Sequence, residues 1–331
     1  MRIVHIITAL HAEGAQMMLY KLLSRMEQKR FDAAVVSLSG GGPLAEELVR
    51  MGIPVHSINM KPGLPTPAAF IRLVRKIRQI KPDLIQGWMY HGNLAAQLAA
   101  AFAPARVPVL WNIRGSHFAL KNEKPVTAAT VWLNAKLSSL PAKIINNSEV
   151  SAFGHEQRLG YNANNHIIIP NGFDTSVYVP SAEARSSVRA ELAVAKDALL
   201  IALFARFHPV KDHTSFLRAA SLLLKNHPEV HFILSGKGVD SSNDYLRDLA
   251  THLGISSQVH LLGERGDMPR LAAAMDIVSL TSHAEGFPNV IGEAMSCGVP
   301  CAVTDAGDSG RIVGSTGRVV APGNVSALAG A

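Results

Sequence analysis

Ile277-Val-Ser-Leu-Thr-Ser-His-Ala-Glu-Gly-Phe-Pro-Asn-Val-Ile-Gly-Glu-Ala-Met-Ser-Cys-Gly298 reads as one strand–loop–helix unit. Ile277 to Thr281 is a short apolar run of strand character, and the residues after Phe287 take a helical pattern. Pro288 suits a first helical position, where its missing N–H would be unpaired anyway, and Gly298 suits the helix end. Glu285 then falls in a loop at a helix N-terminus, and Glu293 sits on the helix beyond it. The free N–H groups of such a turn can hold a phosphate, and Gly286 lets the backbone approach it closely. From there Glu285 can reach sugar hydroxyls and Glu293 a ribose. The same two residues also read as an acidic helix start followed by a solvent-facing Glu, and spacing alone does not choose between these readings.

Further apolar runs alternate with longer helical patterns on either side of this unit. Ile3 to Thr8, Ala33 to Leu38, Leu84 to Gly87, Val109 to Ile113 and Ile144 to Asn146 form one series, after which come Ile167 to Pro170 and the turn Asn171-Gly172. Leu199 to Phe204, His231 to Ser235, Val259 to Leu262, Ile277 to Thr281 and Cys301 to Thr304 form another. Such alternation predicts an α/β protein whose parallel sheets are covered by helices on both faces. With 331 residues, and about 100 to 200 per domain, two doubly wound domains are expected, 1–172 and 173–331, facing across a cleft. The polar stretch with Pro180 and Ser181 to Ser187 reads as a hinge or linker.

Hydrophobic residues at 48% and charged residues at 17% exclude a disordered chain and a membrane bundle. The longest apolar stretch, Leu94 to Leu110, is broken by Gln97, Pro104, Arg106 and Pro108, so no spanning helix is expected. Ile3 to Leu10 carries His5 and follows only Arg2, which reads as a buried strand rather than a secretory leader. Cys297 and Cys301, beside Gly298 and Pro300, read as core packing in a reducing compartment. A net charge of +7 suits nucleic acid, an anionic bilayer or a phosphorylated substrate, and nucleic acid ranks last because no base-reading motif accompanies it.

The run from Glu285 to Glu293, followed by Ala294-Met-Ser-Cys-Gly-Val-Pro300, resembles the E-x7-E signature of retaining glycosyltransferases of family 4, which have the GT-B architecture. Phe204-Ala-Arg-Phe-His-Pro-Val-Lys-Asp-His213 is similar to that family's strand-to-helix loop, and Asn147-Ser-Glu149 with Ile169-Pro-Asn-Gly-Phe-Asp174 to its interdomain segment. The resemblance implies two Rossmann-like domains and puts Arg206 and Lys211 on the donor diphosphate, where cations stabilise the charge of the departing phosphate. It implies front-face, metal-independent transfer, with no cofactor besides a nucleotide diphosphate sugar, most commonly a uridine diphosphate sugar.

The donor contacts expected on this resemblance are Glu285, Gly286, Phe287, Pro288, Asn289, Val290 and Glu293, with Gly236 and Gly238 of Ser235-Gly-Lys-Gly238, and Arg265 of Gly263-Glu-Arg265. In the first domain Thr8 to Gln16 resembles the loop that meets donor phosphates, but the paired glycines appear only as Gly14-Ala15 after Glu13. Tyr90-His-Gly-Asn93 and Trp111-Asn-Ile-Arg-Gly-Ser-His117 each follow a strand on the cleft side. Arg114 is expected near the reacting centre with Glu285, Arg206 and Lys211, and neither His91 nor His117 is assigned a role.

The expected partners are the nucleotide sugar and a glycan or lipid-linked acceptor, in surface polysaccharide or lipopolysaccharide synthesis at the cytoplasmic face of the inner membrane. Phe70 to Ile80 puts Ile71, Val74, Ile77 and Ile80 on one helical face and Arg72 and Lys76 elsewhere, which reads first as a core helix with a solvated basic face and only second as a contact with anionic lipid. The alternatives are a nucleotide-sugar 2-epimerase and a non-catalytic nucleotide-sugar-binding module. The chain stops at Ser326-Ala-Leu-Ala-Gly-Ala331 just as a helix begins, whereas relatives continue, so the second domain is expected to be truncated and transfer reduced.

Overall fold

The computed structural model describes residues 1–11, 14–61, 66–115 and 124–331, and Glu13 and His117 lie outside them. The chain divides into two compact units, Met1–Pro170 and Asn171–Ala331. In the first, β1 (Arg2–Ile7), β2 (Asp32–Ser37), β3 (Val55–Ser57), β4 (Leu84–Trp88), β5 (Val109–Ile113), β6 (Lys143–Asn146) and β7 (His166–Ile168) form one sheet. Their order is β3-β2-β1-β4-β5-β6-β7, with every pairing parallel. The central β1 is buried from Ile3 to Ile7 on both faces, which is why its sequence runs apolar instead of alternating.

Helices α1 (Gly14–Ser24) and α2 (Pro43–Arg50) cover one face of this sheet, and α3 (Pro67–Ile80), α4 (Met89–Ala100) and α5 (Pro125–Leu137) cover the other; α6 (Glu149–Leu159) joins β6 to β7. The two cores record that division: Leu19, Leu23, Leu44 and Leu48 pack with Ile7 and Val35, whereas Leu73, Ile77, Ala96 and Val131 pack with Val4 and Ile6. Right-handed crossovers produce it, since the chain moves outward from β1 to β3 and then returns across to β4.

The second unit repeats the scheme with α7 (Ala182–Glu191), β8 (Leu199–Phe204), α8 (His213–Leu223), β9 (Val230–Ser235), α9 (Asp244–His252), β10 (Val259–Leu261) and α10 (Met268–Ala273). It continues through β11 (Ile277–Leu280), α11 (Asn289–Ser296), β12 (Cys301–Thr304), α12 (Ser309–Val313), β13 (Arg318–Val320) and α13 (Val325–Gly330). The strand order is β10-β9-β8-β11-β12-β13, again parallel throughout. Strand order reverses beside β1 in one sheet and beside β8 in the other. At such a point the loops leaving neighbouring strands turn to opposite faces and open a crevice.

Three sequence expectations are corrected. The edge strands β3 and β13 have three residues each and carried no apolar run long enough to notice. The stretch Ser181 to Ser187 is no linker but the start of α7: Ser181 Oγ accepts the Ala184 N–H at 3.0 Å as a cap, and Ala184, Val188 and Arg189 turn inward. In α3 the inward face is Ala69, Leu73 and Ile77, at steps of four, and Ile71 stays 48% exposed. Six residues at 3.6 per turn leave Ile71 about 120° around the helix from Ile77. No helix among the described residues is long and apolar enough to cross a membrane.

Candidate functional site

The crevice of the second unit is walled by the loops that follow β8 and β11. The first, 205–212, leaves Phe204 and carries Arg206 and Lys211; the second, 281–288, carries Glu285. These loops are bonded to each other. Thr281, fully buried, donates its hydroxyl to the Lys211 carbonyl at 2.7 Å, and the His283 N–H donates to the Val210 carbonyl at 2.8 Å. Across the same seam Lys211 Nζ meets Glu285 Oε1 at 2.5 Å, and Ser282 Oγ donates to that oxygen at 2.6 Å. His283 Nε2 lies 3.1 Å from Asp212 Oδ2, while Asp212 Oδ1 caps α8 through the Ser215 N–H.

Arg206 is exposed and makes no hydrogen bond or ion pair among the described residues. Thus one cation is held against a carboxylate and another is exposed on the same loop. A diphosphate arriving here could take Arg206 directly and Lys211 by exchange for Glu285.

The supports beneath are backbone and glycine. Ala205 N–H donates to Ser235 O at 3.0 Å and Phe207 N–H to Lys237 O at 2.8 Å, which laces the loops after β8 and β9 together. A Cβ on Gly236 would collide with the Ala205 carbonyl, so only glycine lets the two backbones close. Gly238 takes φ 74°, and Gly263 N–H and O tie the loop after β10 to Val239 and Gly236. Under Glu285, Gly307 takes φ 59° with its missing Cβ against the Glu285 and Gly286 carbonyls, and the Asp308 N–H donates to Gly286 O at 3.0 Å.

Helix α11 opens after Pro288, which is buried and occupies the capping position. Phe287 stacks on Phe173, ring centroids 6.2 Å apart, and the Phe173 ring fills the space a side chain on Gly292 would need. Asn171 Nδ2 donates to Asn289 Oδ1 at 2.5 Å, and Val290 packs on the core of this unit. Glu293 hydrogen-bonds Tyr178, whose hydroxyl is pushed well above its usual pKa by burial and then by that carboxylate.

Lys211, Glu285 and Gly286 are therefore brought together, with Arg206 on the same loop. Arg265 is not part of this group. Its Nε and Nη2 both reach Asp267 at 2.8 Å and its Nη1 reaches Glu191 at 2.6 Å, while Arg270 bonds the same two carboxylates. Hydrogen bonds from Arg265, more than any other cause, hold the Asp267 carboxyl well below the usual range. Sequence reasoning passed over Thr281, Ser282, His283 and Gly307; hydroxyl and glycine residues just past strand ends at a switch point were the available signal.

In the first unit Gly14 opens α1, and among the described residues nothing lies within 4 Å of where its Cβ would sit. The segment Tyr90 to Asn93 is the beginning of α4: Gly92 lets it close on the Ile6 carbonyl, and Asn93 Oδ1 accepts the Asn112 N–H at 3.1 Å. His91 is held below its usual pKa by burial. Arg114 donates from Nη1 to Asn112 Oδ1 at 3.1 Å and lies over the Trp88 ring at 5.5 Å, with burial lowering its guanidinium to about 10. Trp88 in turn donates Nε1–H to Nδ1 of buried His5 at 3.2 Å.

Residues 12–177 match the family described as Glycosyltransferase Family 4, and residues 198–331 match Glycosyl transferases group 1. The chain belongs to glycosyltransferase family 4. The crystal structure of Anabaena HepE in complex with UDP and glucose superposes on this family 4 chain with a TM-score of 0.85 and 26% identity, covering 100% of this chain and 88% of that one. The two parallel sheets with their helices are accordingly the GT-B architecture. The lipopolysaccharide outer core galactosyltransferase WaaB shares the fold at a TM-score of 0.72 and 17% identity, over 100% of this chain and 88% of its own. In sequence, the UDP-Gal:alpha-D-GlcNAc-diphosphoundecaprenol alpha-1,3-galactosyltransferase of Escherichia coli is 25% identical over 250 residues, which are 74% of this chain and 63% of that enzyme.

Proposed function

We propose that this glycosyltransferase moves a sugar, with retention at its anomeric carbon, from a uridine diphosphate sugar to a glycan or lipid-linked acceptor in surface polysaccharide or lipopolysaccharide synthesis. The carrying observation is the Lys211–Glu285 pair at the switch point, with exposed Arg206 on the same loop as Lys211. The diphosphate takes both cations, and Glu285, released from Lys211 but still held by Ser282, accepts hydroxyl groups of the donor sugar. As the anomeric C–O bond to the β-phosphate breaks, negative charge grows on the phosphate oxygen, where Arg206 and Lys211 stabilise the transition state more than the ground state. The acceptor oxygen bonds to the same face, and its proton passes to the departing phosphate.

The cations supply the charge that a divalent ion supplies elsewhere, so transfer is metal-independent in this reading. Work on a lipid-linked acceptor puts the chain at the cytoplasmic face of a membrane as a peripheral protein. The experiment is product analysis with UDP-sugars and an undecaprenyl-diphosphate sugar, in chelator and in magnesium. An α-linked product from an α-linked donor, formed equally in both, is expected. An inverted linkage, or activity that vanishes in chelator and returns with metal, overturns the corresponding part. Epimerised nucleotide sugar in the absence of acceptor would replace transfer with 2-epimerisation.

A further inference from the structure

Positive charge is concentrated in one part of the sequence. Residues 61–148 contain twelve Lys and Arg against only Asp83 and Glu123, a local charge of +10 in a chain whose total is +7. Helices α3, α4 and α5 fall in this stretch, and all three pack their inner sides on the same face of the first sheet. Side chains turned away from that core therefore share one outer surface. On it stand Ile71, Leu98, Phe102 and Trp132, exposed by 48%, 39%, 50% and 58%. Arg75 and Arg78 of α3, Lys136 of α5 and Arg106 in the loop after α4 are exposed as well. Phe102 meets Phe70 of α3 edge-on at 5.5 Å and Arg78 Nε donates to Phe102 O at 2.8 Å, which ties α3 to the turn after α4; on α5 the Lys136 ammonium sits 5.9 Å over the Trp132 ring.

We propose that this outer surface of α3, α4 and α5 is the face on which the chain rests against an anionic lipid bilayer. The inference rests on the reading of the acceptor as lipid-linked and deepens it by naming the surface. Lysine and arginine near anionic headgroups attract the protein, and apolar side chains among them enter the boundary between headgroup and acyl chain, where tryptophan is favoured. The near absence of carboxylates removes the repulsion that an ordinary mixed protein surface would oppose to such a layer.

Trp132 provides the probe. The chain has three tryptophans, and Trp88 and Trp111 are 1% and 0% exposed. A change in emission on binding a surface therefore reports Trp132. The full chain is mixed with vesicles of phosphatidylcholine alone or with phosphatidylglycerol added, and followed by emission and by cosedimentation. Emission should shift to the blue with phosphatidylglycerol vesicles, and Trp132→Phe should abolish that shift. Arg75→Glu with Arg106→Glu should weaken cosedimentation by at least about tenfold, whereas Lys225→Glu, in the second unit, should leave it within about twofold.

No binding to phosphatidylglycerol overturns the proposal, as does unchanged emission in sedimented protein or equal loss with Lys225→Glu. Tighter capture by a single-stranded RNA oligomer than by vesicles at the same salt overturns it in favour of nucleic acid. UDP calorimetry on the same sample separates the two readings. Binding UDP but no vesicles removes the lipid surface and leaves transfer standing; binding vesicles but no UDP does the reverse.

Discussion

Glu285 has two donors on one oxygen, Lys211 at 2.5 Å and Ser282 at 2.6 Å, so its place is fixed before any ligand arrives. Substituting Gln keeps the shape, removes the charge and frees Lys211. UDP affinity should then hold or rise in Glu285→Gln while transfer falls at least about 100-fold, the size of loss that follows removal of a group stabilising developing charge; parallel losses in calorimetry and initial rates would refute the division of labour. Arg206 has no partner among the described residues to leave stranded, so Arg206→Ala should report its ligand contact. A charged hydrogen bond of about 1.5 to 3 kcal/mol corresponds to a loss of roughly 10- to 100-fold in UDP affinity, and a wild-type binding constant would remove Arg206 from the site. Thr281 acts at one remove, through the Lys211 carbonyl. Thr281→Val should weaken UDP binding several-fold, and Thr281→Ser, which restores the hydroxyl, should recover it. The residue types that meet a ligand were legible in sequence because a Glu, an Arg and a Lys beside glycines stand out. The groups that hold them were not, since Thr281 and Ser282 look like the tail of a strand until the register beside β8 is known.

Among the elements, α7 shows why a helix can be missed. Its inward side carries a charge: Arg189 is 1% exposed, donates to the carbonyls of Ala198 and Ala274, and pairs with Asp276 at 2.6 Å; Arg185 bonds the other oxygen of that carboxylate. Sequence patterning counts arginine as outward, so the amphipathic period was hidden. Asp276→Ala leaves Arg189 buried without its carboxylate and should destabilise the second unit by about 3 to 5 kcal/mol, measured by urea unfolding. A change near zero would mean that Arg189 swings out to water. Ser181→Ala should cost only about 1 kcal/mol. The central strands such as β1 and β8 were legible because strands buried on both faces run apolar, whereas β3 and β13 are three-residue edge strands with every residue partly or fully exposed.

Over the molecule as a whole, buried imidazoles set an acid limit. Burial lowers His5 to about 4, and burial likewise lowers His166 to about 4, both in the first unit. The unfolded chain takes up these protons near pH 6.5 and the folded chain only near 4. Stability is therefore complete above about 6.5 and falls as the pH drops toward 4, by on the order of 3 kcal/mol for His5. His5→Asn, which keeps an acceptor for Trp88 but cannot charge, should flatten part of that slope in thermal melts taken between pH 7 and 5.

The two cysteines of the chain both lie in the core of the second unit, and burial raises Cys297 to about 11 and Cys301 to about 12. Neither presents a thiolate at neutral pH, so a disulfide reagent should titrate no fast thiol in the folded protein and two after denaturation. A single cysteine introduced on any exposed residue would then take a fluorophore or spin label by itself, with the native sulfurs left in place. One label in each unit would read the distance between them in the presence and absence of donor.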